Sequence, residues 1–247
     1  MEVTRRTRDI FYISANSIKQ YYIYYGMEFH EFIRHVPSEL DNILVTDGKY
    51  TTNDYNRNML LETAKGKKGI DELSKEDIYG LGNFHWIDYD SEGRLDHCTP
   101  QEKAEILYLS HFGQPMHSPF FDRLNNQFVY LAHDDGWFCK LYCKEMAVFK
   151  EIIANKMVAE FSTNKRRKIY PMNDSIKSQL LDLTNQGLLI DFSNIYRDNK
   201  EISLHYYVVG HYQNMDDMYH DLERNKQIAE IKGYIEHKNK KWAIYQQ

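Results

Sequence analysis

The sequence predicts an α+β (mixed α/β) protein with a predominantly antiparallel central sheet, covering helices and a smaller C-terminal α-β-β-α-β-β portion. Three observations predict it. Residues 126–143 form the longest run of strand-forming residues, divided by Asp135-Gly136. Aspartate-glycine between apolar runs favours the tight hairpin turn in which both central residues take positive φ. Aromatic strand-like segments recur at Asp9–Ile13 and Gly82–Asp90, and helical apolar spacing recurs between and after them.

Bulk properties narrow the class. A chain of 247 residues can bury a sizeable core. The net charge of −5 argues against a nucleic-acid partner, which would meet a basic surface. Three cysteines do not make a disulfide framework. No apolar run approaches the ~20 residues of a spanning helix, and the N-terminus has no signal-peptide core. The expectation is a soluble cytoplasmic protein without a membrane partner. Twenty tyrosines are the unusual feature. Tyrosine has a flat apolar body and a polar tip, which suits half-buried sheet and recognition surfaces alike.

The elements follow in order. Asp9–Ile13 reads as a strand. Asn16 or Ser17 then caps a helix, with Ile18, Tyr21, Tyr22 and Tyr25 on one face and Gly26 at its stop. Phe29, Phe32, Ile33 and Val36 mark a second helix ending at Pro37, and Asn42–Thr46 is a strand before Asp47-Gly48. Strand, helix and strand in fifty residues is the layout of a βαβ unit, with a purely antiparallel arrangement as the open alternative. Residues 49–81 are polar, with Lys65–Gly69 as a turn between helices and Ser74 and Asp77 at capping-box spacing.

Thr99-Pro100-Gln101-Glu102 is a full helix start, with a capping hydroxyl, a proline and a third-position glutamate. Its predicted apolar face is Ala104, Leu107, Tyr108 and His111. Ser118-Pro119 opens a short helix into the hairpin. Met146, Phe149, Ile153, Met157 and Phe161 mark a helix long enough to cover a sheet. The composition shifts at Ser162–Asp174. This divides the chain into a main domain (1–162), a connection (163–173) and a smaller C-terminal α+β domain (174–247). Beyond it, Asn173 or Asp174 caps a helix, Leu188–Phe192 and Ile202–Gly210 are strands, Asn214 caps a helix through Leu222, and Ile228–His237 with Lys241–Tyr245 closes as a hairpin.

The hairpin turn fixes a register. His133 opposes Phe138, Ala132 opposes Cys139 and Tyr130 opposes Leu141. Opposed residues share a face. One face is therefore Phe128, Tyr130, Ala132, Cys139, Leu141 and Cys143. The other carries Val129, Leu131, His133, Phe138, Lys140 and Tyr142, and its polar members gather near the turn. Cys139 and Cys143 lie roughly 13 Å apart on such a strand, too far to share an ion, and read as inert core thiols. His30 and His35 are five apart, roughly 140° around a helix, so they do not face one metal. No metal and no cofactor is expected, and no phosphate loop, dinucleotide fingerprint or nucleophile elbow is present.

Gly82–Asp90 followed by Leu124–Tyr142 resembles an uncharacterised family of soluble Bacillus-type proteins, members of which are sometimes labelled oxalate:formate antiporter. The resemblance covers mainly residues 8–160. It implies a bacterial cytoplasmic origin and supplies no catalytic residues. A transporter would need many spanning helices, which this sequence lacks.

The expected function is a non-catalytic binding or regulatory protein. Its ligand, a protein or a small polar molecule, would lie against an aromatic-rich surface of His85, Trp86, Trp137, Lys140 and Tyr142. One alternative is a hydrolase or group transferase in which His133 is the base and Asp134 orients it. Another is an immunity-type protein that neutralises a toxin.

Overall fold

The computed structural model describes residues 9–48, 55–76, 82–133, 137–162, 168–198 and 201–247. The chain opens with strands β1 (Ile10–Asn16) and β2 (Tyr21–Tyr25), helix α1 (Phe29–His35), then β3 (Asn42–Asp47), β4 (Tyr55–Asn56) and β5 (Leu61–Lys65). Helix α2 (Gly66–Leu73), β6 (Phe84–Tyr89), α3 (Glu92–Asp96) and α4 (Pro100–Phe112) follow, then the hairpin strands β7 (Phe128–His133) and β8 (Phe138–Cys143). The remainder is α5 (Met146–Phe161), α6 (Asp174–Thr184), β9 (Leu188–Asp191), β10 (Tyr196–Arg197) and β11 (Glu201–Val208). It ends with α7 (Met215–His220), α8 (Leu222–Ile228), β12 (Ile231–Lys238) and β13 (Lys241–Gln246). Among the described residues no helix is long and apolar enough to cross a membrane.

The chain packs as two compact units. The first comprises the chain up to Lys19, Ile23–Pro37 and Met146–Gln247, and the second comprises Gln20–Tyr22 and Ser38–Glu145. The composition shift at Ser162–Asp174 thus falls inside the first unit. There the strand order is β13-β12-β11-β9-β1, with β10 beside β11. These pairings are antiparallel. Asn173 caps α6 by accepting from Ile176 N–H, as the sequence predicts. In the second unit the order is β8-β7-β6-β3-β5-β4, again antiparallel. The α+β class with an antiparallel sheet is what forms.

The hairpin register is the predicted one: His133 faces Phe138, Ala132 faces Cys139 and Tyr130 faces Leu141. Asp135-Gly136 itself lies outside the described residues. Asp88 prepares the entry to β7, its carboxylate accepting from the Gln127 and Phe128 backbone N–H groups at 3.0 and 2.7 Å. Burial lifts that carboxyl to about 7 against the pull of those donors.

Several expectations are corrected. Residues 16–26 are not a helix. Asn16 accepts from Lys19 N–H in a side-chain turn, Gln20 takes φ 53°, and Tyr21–Tyr25 extends as β2. Four tyrosines and an isoleucine in a row satisfy a pleated strand better than a helix, and Ile18, assigned to the buried face, is 94% exposed. The βαβ unit goes with it. Lys65–Gly69 is not a turn between helices, because β5 pairs with β3 up to Lys65 and α2 starts at Gly66. Ser74 ends α2, its hydroxyl donating to the Asp71 carbonyl, and Asp77 lies outside the described residues.

Helix α4 starts as predicted, with Thr99 and Glu102 bonded reciprocally. It buries Ile106, Leu109 and Ser110, however, and leaves Leu107 and His111 exposed. Ser118-Pro119 sits in irregular chain. Residues 222–228, split between a helix end and a strand in the prediction, are α8.

Gly26 is a tight point of the first unit. At φ +86° an added Cβ would stand 1.8 Å from the Ile10 carbonyl oxygen, and that left-handed backbone already costs other residues ~1–2 kcal/mol. Gly26→Ala is expected to lower unfolding free energy by at least ~2 kcal/mol in urea titrations. Gly93→Ala, in open space within α3, is expected to leave it unchanged or to raise it by up to ~1 kcal/mol.

Candidate functional site

The second unit carries a polar island inside an apolar layer. Leu44, Ile87, Tyr89, Ile106, Leu109, Leu124, Val129, Leu131 and Tyr142 pack as one buried cluster between α4 and the sheet. Across the sheet, Asp47 opposes His85, His85 opposes Leu131, and Leu131 opposes Lys140. The register of β3 shifts between Val45 and Asp47, and this irregularity carries Asp47 to the position opposite His85. Strand alternation then puts His85, His133, Lys140 and Tyr142 on the face that α4 covers.

The end of α4 closes the island. Gly113 stops the helix at φ 63°, the left-handed conformation that glycine adopts without steric cost. Its N–H donates back to Leu109, and its carbonyl accepts from Lys140 Nζ at 2.7 Å and from Tyr142 Oη at 3.3 Å. A helix end carries unsatisfied carbonyls and partial negative charge, so a lysine amine is well matched there. Lys140 Nζ also lies 4.7 Å from the Tyr21 ring centroid and 5.1 Å from that of Tyr142, within cation–π range. Burial raises the Tyr142 phenol above its ordinary value, which keeps it a hydrogen-bond donor.

Two imidazoles complete the cluster. The His85 and His133 rings meet edge to face at 4.8 Å, and His133 lies 5.3 Å from the Phe138 ring. His85 is fully buried, with Asp47 Oδ2 3.6 Å from its Nδ1. Burial pushes it down to about 4, against the opposing pull of the Ser110 and Ala132 carbonyls. His133 is also pushed down to about 4, by burial first and then by His85 and Lys140, with Asp47 opposing. Both are neutral at pH 7.

Of the residues singled out from sequence, His85, His133, Lys140 and Tyr142 therefore come together. Trp86 does not. It is fully buried on the other face, stacked on Tyr130 at 5.1 Å and 10°, because neighbours on a strand point opposite ways. Trp137 precedes β8 and is half-buried. Asp134 lies outside the described residues. The face expected to be an open aromatic surface is mostly core, and its outer rim is the end of α4. Phe112 is 60% and Met116 51% exposed. The Phe112 ring lies 4.6 Å from Tyr108 and 4.7 Å from His111.

Sequence reading missed two clusters in the first unit. Lys156 is buried within α5, bonded to Glu31 and Glu160 at 2.8 Å each and lying over the Phe11 and Phe192 rings. A lysine beside Met157 in an apolar helix was its only signal. Ser14 Oγ meets His211 Nδ1 at 2.6 Å, next to a Tyr12 hydroxyl that donates to the Gly210 carbonyl. These partners lie almost two hundred residues apart, with no local signature.

No protein-family model matches this chain, and no match is found among curated proteins or solved structures.

Lys140→Met keeps the packing and removes the donor to Gly113. It is expected to cost ~1–3 kcal/mol in urea unfolding. The histidines set a pH window. Their folded values lie below the ordinary 6.5, so the unfolded chain takes up protons first and their contribution to stability falls as pH drops from 6.5 towards 4. For fully buried His85 the loss approaches ~3 kcal/mol. His85→Asn with His133→Gln is expected to lose less thermal stability than wild type, or gain more, as pH drops through this window, since Asp88 and His35, which titrate across the same range, are common to both proteins.

Proposed function

We propose that this chain is a non-catalytic binding or regulatory protein whose partner docks at the rim where the end of α4 meets β7 and β8. The observation that carries the reading is Phe112. It is largely exposed, braced by Tyr108 and His111, and one residue from a carbonyl held by Lys140 and Tyr142. An aromatic anchor whose backbone is already fixed loses little freedom on binding, which is what makes such residues dominate interfaces. His133, Phe138 and Trp137 extend the rim, and Asp47 offers a half-exposed carboxylate beside it.

The same geometry favours binding over acid–base catalysis. An imidazole titrating near 4 has little basicity at neutral pH. The partner is a protein segment or a small polar molecule, and a toxin neutralised by this chain would be one such protein. Kinship with the soluble Bacillus-type proteins that the hairpin resembles, and a cytoplasmic site of action, belong to this proposal.

The test is affinity capture from an extract of the source cells, using wild type, Phe112→Ala and Trp137→Ala as bait. Both variants are expected to keep the wild-type melting temperature and to lose the captured partner at least tenfold. Two folded variants that retain it at wild-type level would contradict the assignment.

A further inference from the structure

The outer edge of β13 has a composition that sheet edges usually avoid. β13 ends the strand order of the first unit, and β12 is its one strand neighbour among the described residues. Gln247 N–H donates to the Lys232 carbonyl at 2.8 Å. In an antiparallel ladder the bonded positions alternate. Lys241, Ala243 and Tyr245 therefore bond inward to β12, while Trp242, Ile244 and Gln246 turn their N–H and C=O groups outward. Val209 N–H bonded to the Gly187 carbonyl gives the alternation that follows two strands further in.

Edges are ordinarily blunted by brevity, charge, proline or a bulge. The terminal strand of the second unit follows that rule, since β4 is two residues long. β13 runs for six residues, and its outward-bonding stretch Trp242-Ala-Ile-Tyr-Gln246 contains no charge, glycine or proline. Tyr245 is 43% exposed beside it. Lys240 and Lys241 sit at one end of the strand, where the Trp242 indole donates to the Tyr170 carbonyl at 2.6 Å, and Ala243 and Ile244 are half-buried without a charge beside them.

We propose that this edge pairs with the same edge of a second copy, antiparallel about a two-fold axis at Ile244. The occupant is a second copy because the strand is complementary to itself in that register. Ile244 opposes the partner's Ile244, and Trp242 opposes the partner's Gln246. All of these are outward-bonding positions and exchange backbone bonds. Between them Ala243 meets the partner's Tyr245, a small residue against a large one, and Lys241 meets the partner's Gln247. No like charges face each other. Sliding the axis to Trp242 instead sets Lys240 and Lys241 opposite the partner's Ile244 and Ala243.

Sedimentation velocity of the full chain across the micromolar range tests this directly. Wild type is expected as a dimer. Ile244→Pro removes an N–H that faces outward and breaks no bond to β12, so it should halve the sedimenting mass and retain the circular-dichroism spectrum. Ala243→Pro removes an inward N–H and should lower the melting temperature instead. The register has its own test, independent of proline. Ala243→Lys with Tyr245→Lys sets lysines opposite one another and should give monomer, whereas Ala243→Lys with Tyr245→Glu should restore the dimer. A wild type that sediments as monomer throughout, or dimers that survive both Ile244→Pro and the double-lysine change, would overturn the proposal.

Discussion

The contact between Lys140 and the Gly113 carbonyl is the constraint on which the second unit depends. It joins the middle of a sheet strand to the last residue of a helix cap, beside two imidazoles and within an apolar cluster. Burying an amine is costly unless it is hydrogen-bonded and surrounded by polarisable groups. Here the helix end supplies the acceptor, and Tyr21 and Tyr142 supply ring faces. The helix is thereby held in register on the sheet, Gly113 passes close to His133, and Phe112 is carried to the surface.

The histidine pair takes its properties from that closure. Both imidazoles are pushed away from the charged form by burial, and His133 also by His85 and Lys140. Their neutral state at pH 7 leaves Lys140 as the amine at the centre of the island. Phe112 and Met116 are the exposed apolar side chains at its rim.

Much of the fold was legible because short-range signals carried it. The register read from Asp135-Gly136 in the sequence is the one β7 and β8 adopt, Thr99 and Glu102 cap α4, and Asn173 caps α6. What sequence could not give was decided by tertiary packing. Ile18, Tyr21, Tyr22 and Tyr25 have helical spacing, yet Tyr21–Tyr25 pairs as strand and Ile18 points to solvent. Helix α4 has apolar residues on more than one side, so its spacing did not identify Ile106 and Leu109 as the buried ones. The candidate site was half legible. Alternation placed His133, Lys140 and Tyr142 on one face, but Gly113 lies far along the chain, and nothing local announces that a helix end would cover them.

The most direct measurement is amide hydrogen exchange along α4 in wild type and in Lys140→Met at neutral pH. If Lys140 holds the helix end to the sheet, protection at Leu109–Gly113 falls by tenfold or more in the variant, while Ala104–Ile106 keeps its protection. Equal protection at Gly113 in the two proteins would contradict the account, because the cap would then be held by the surrounding apolar packing alone.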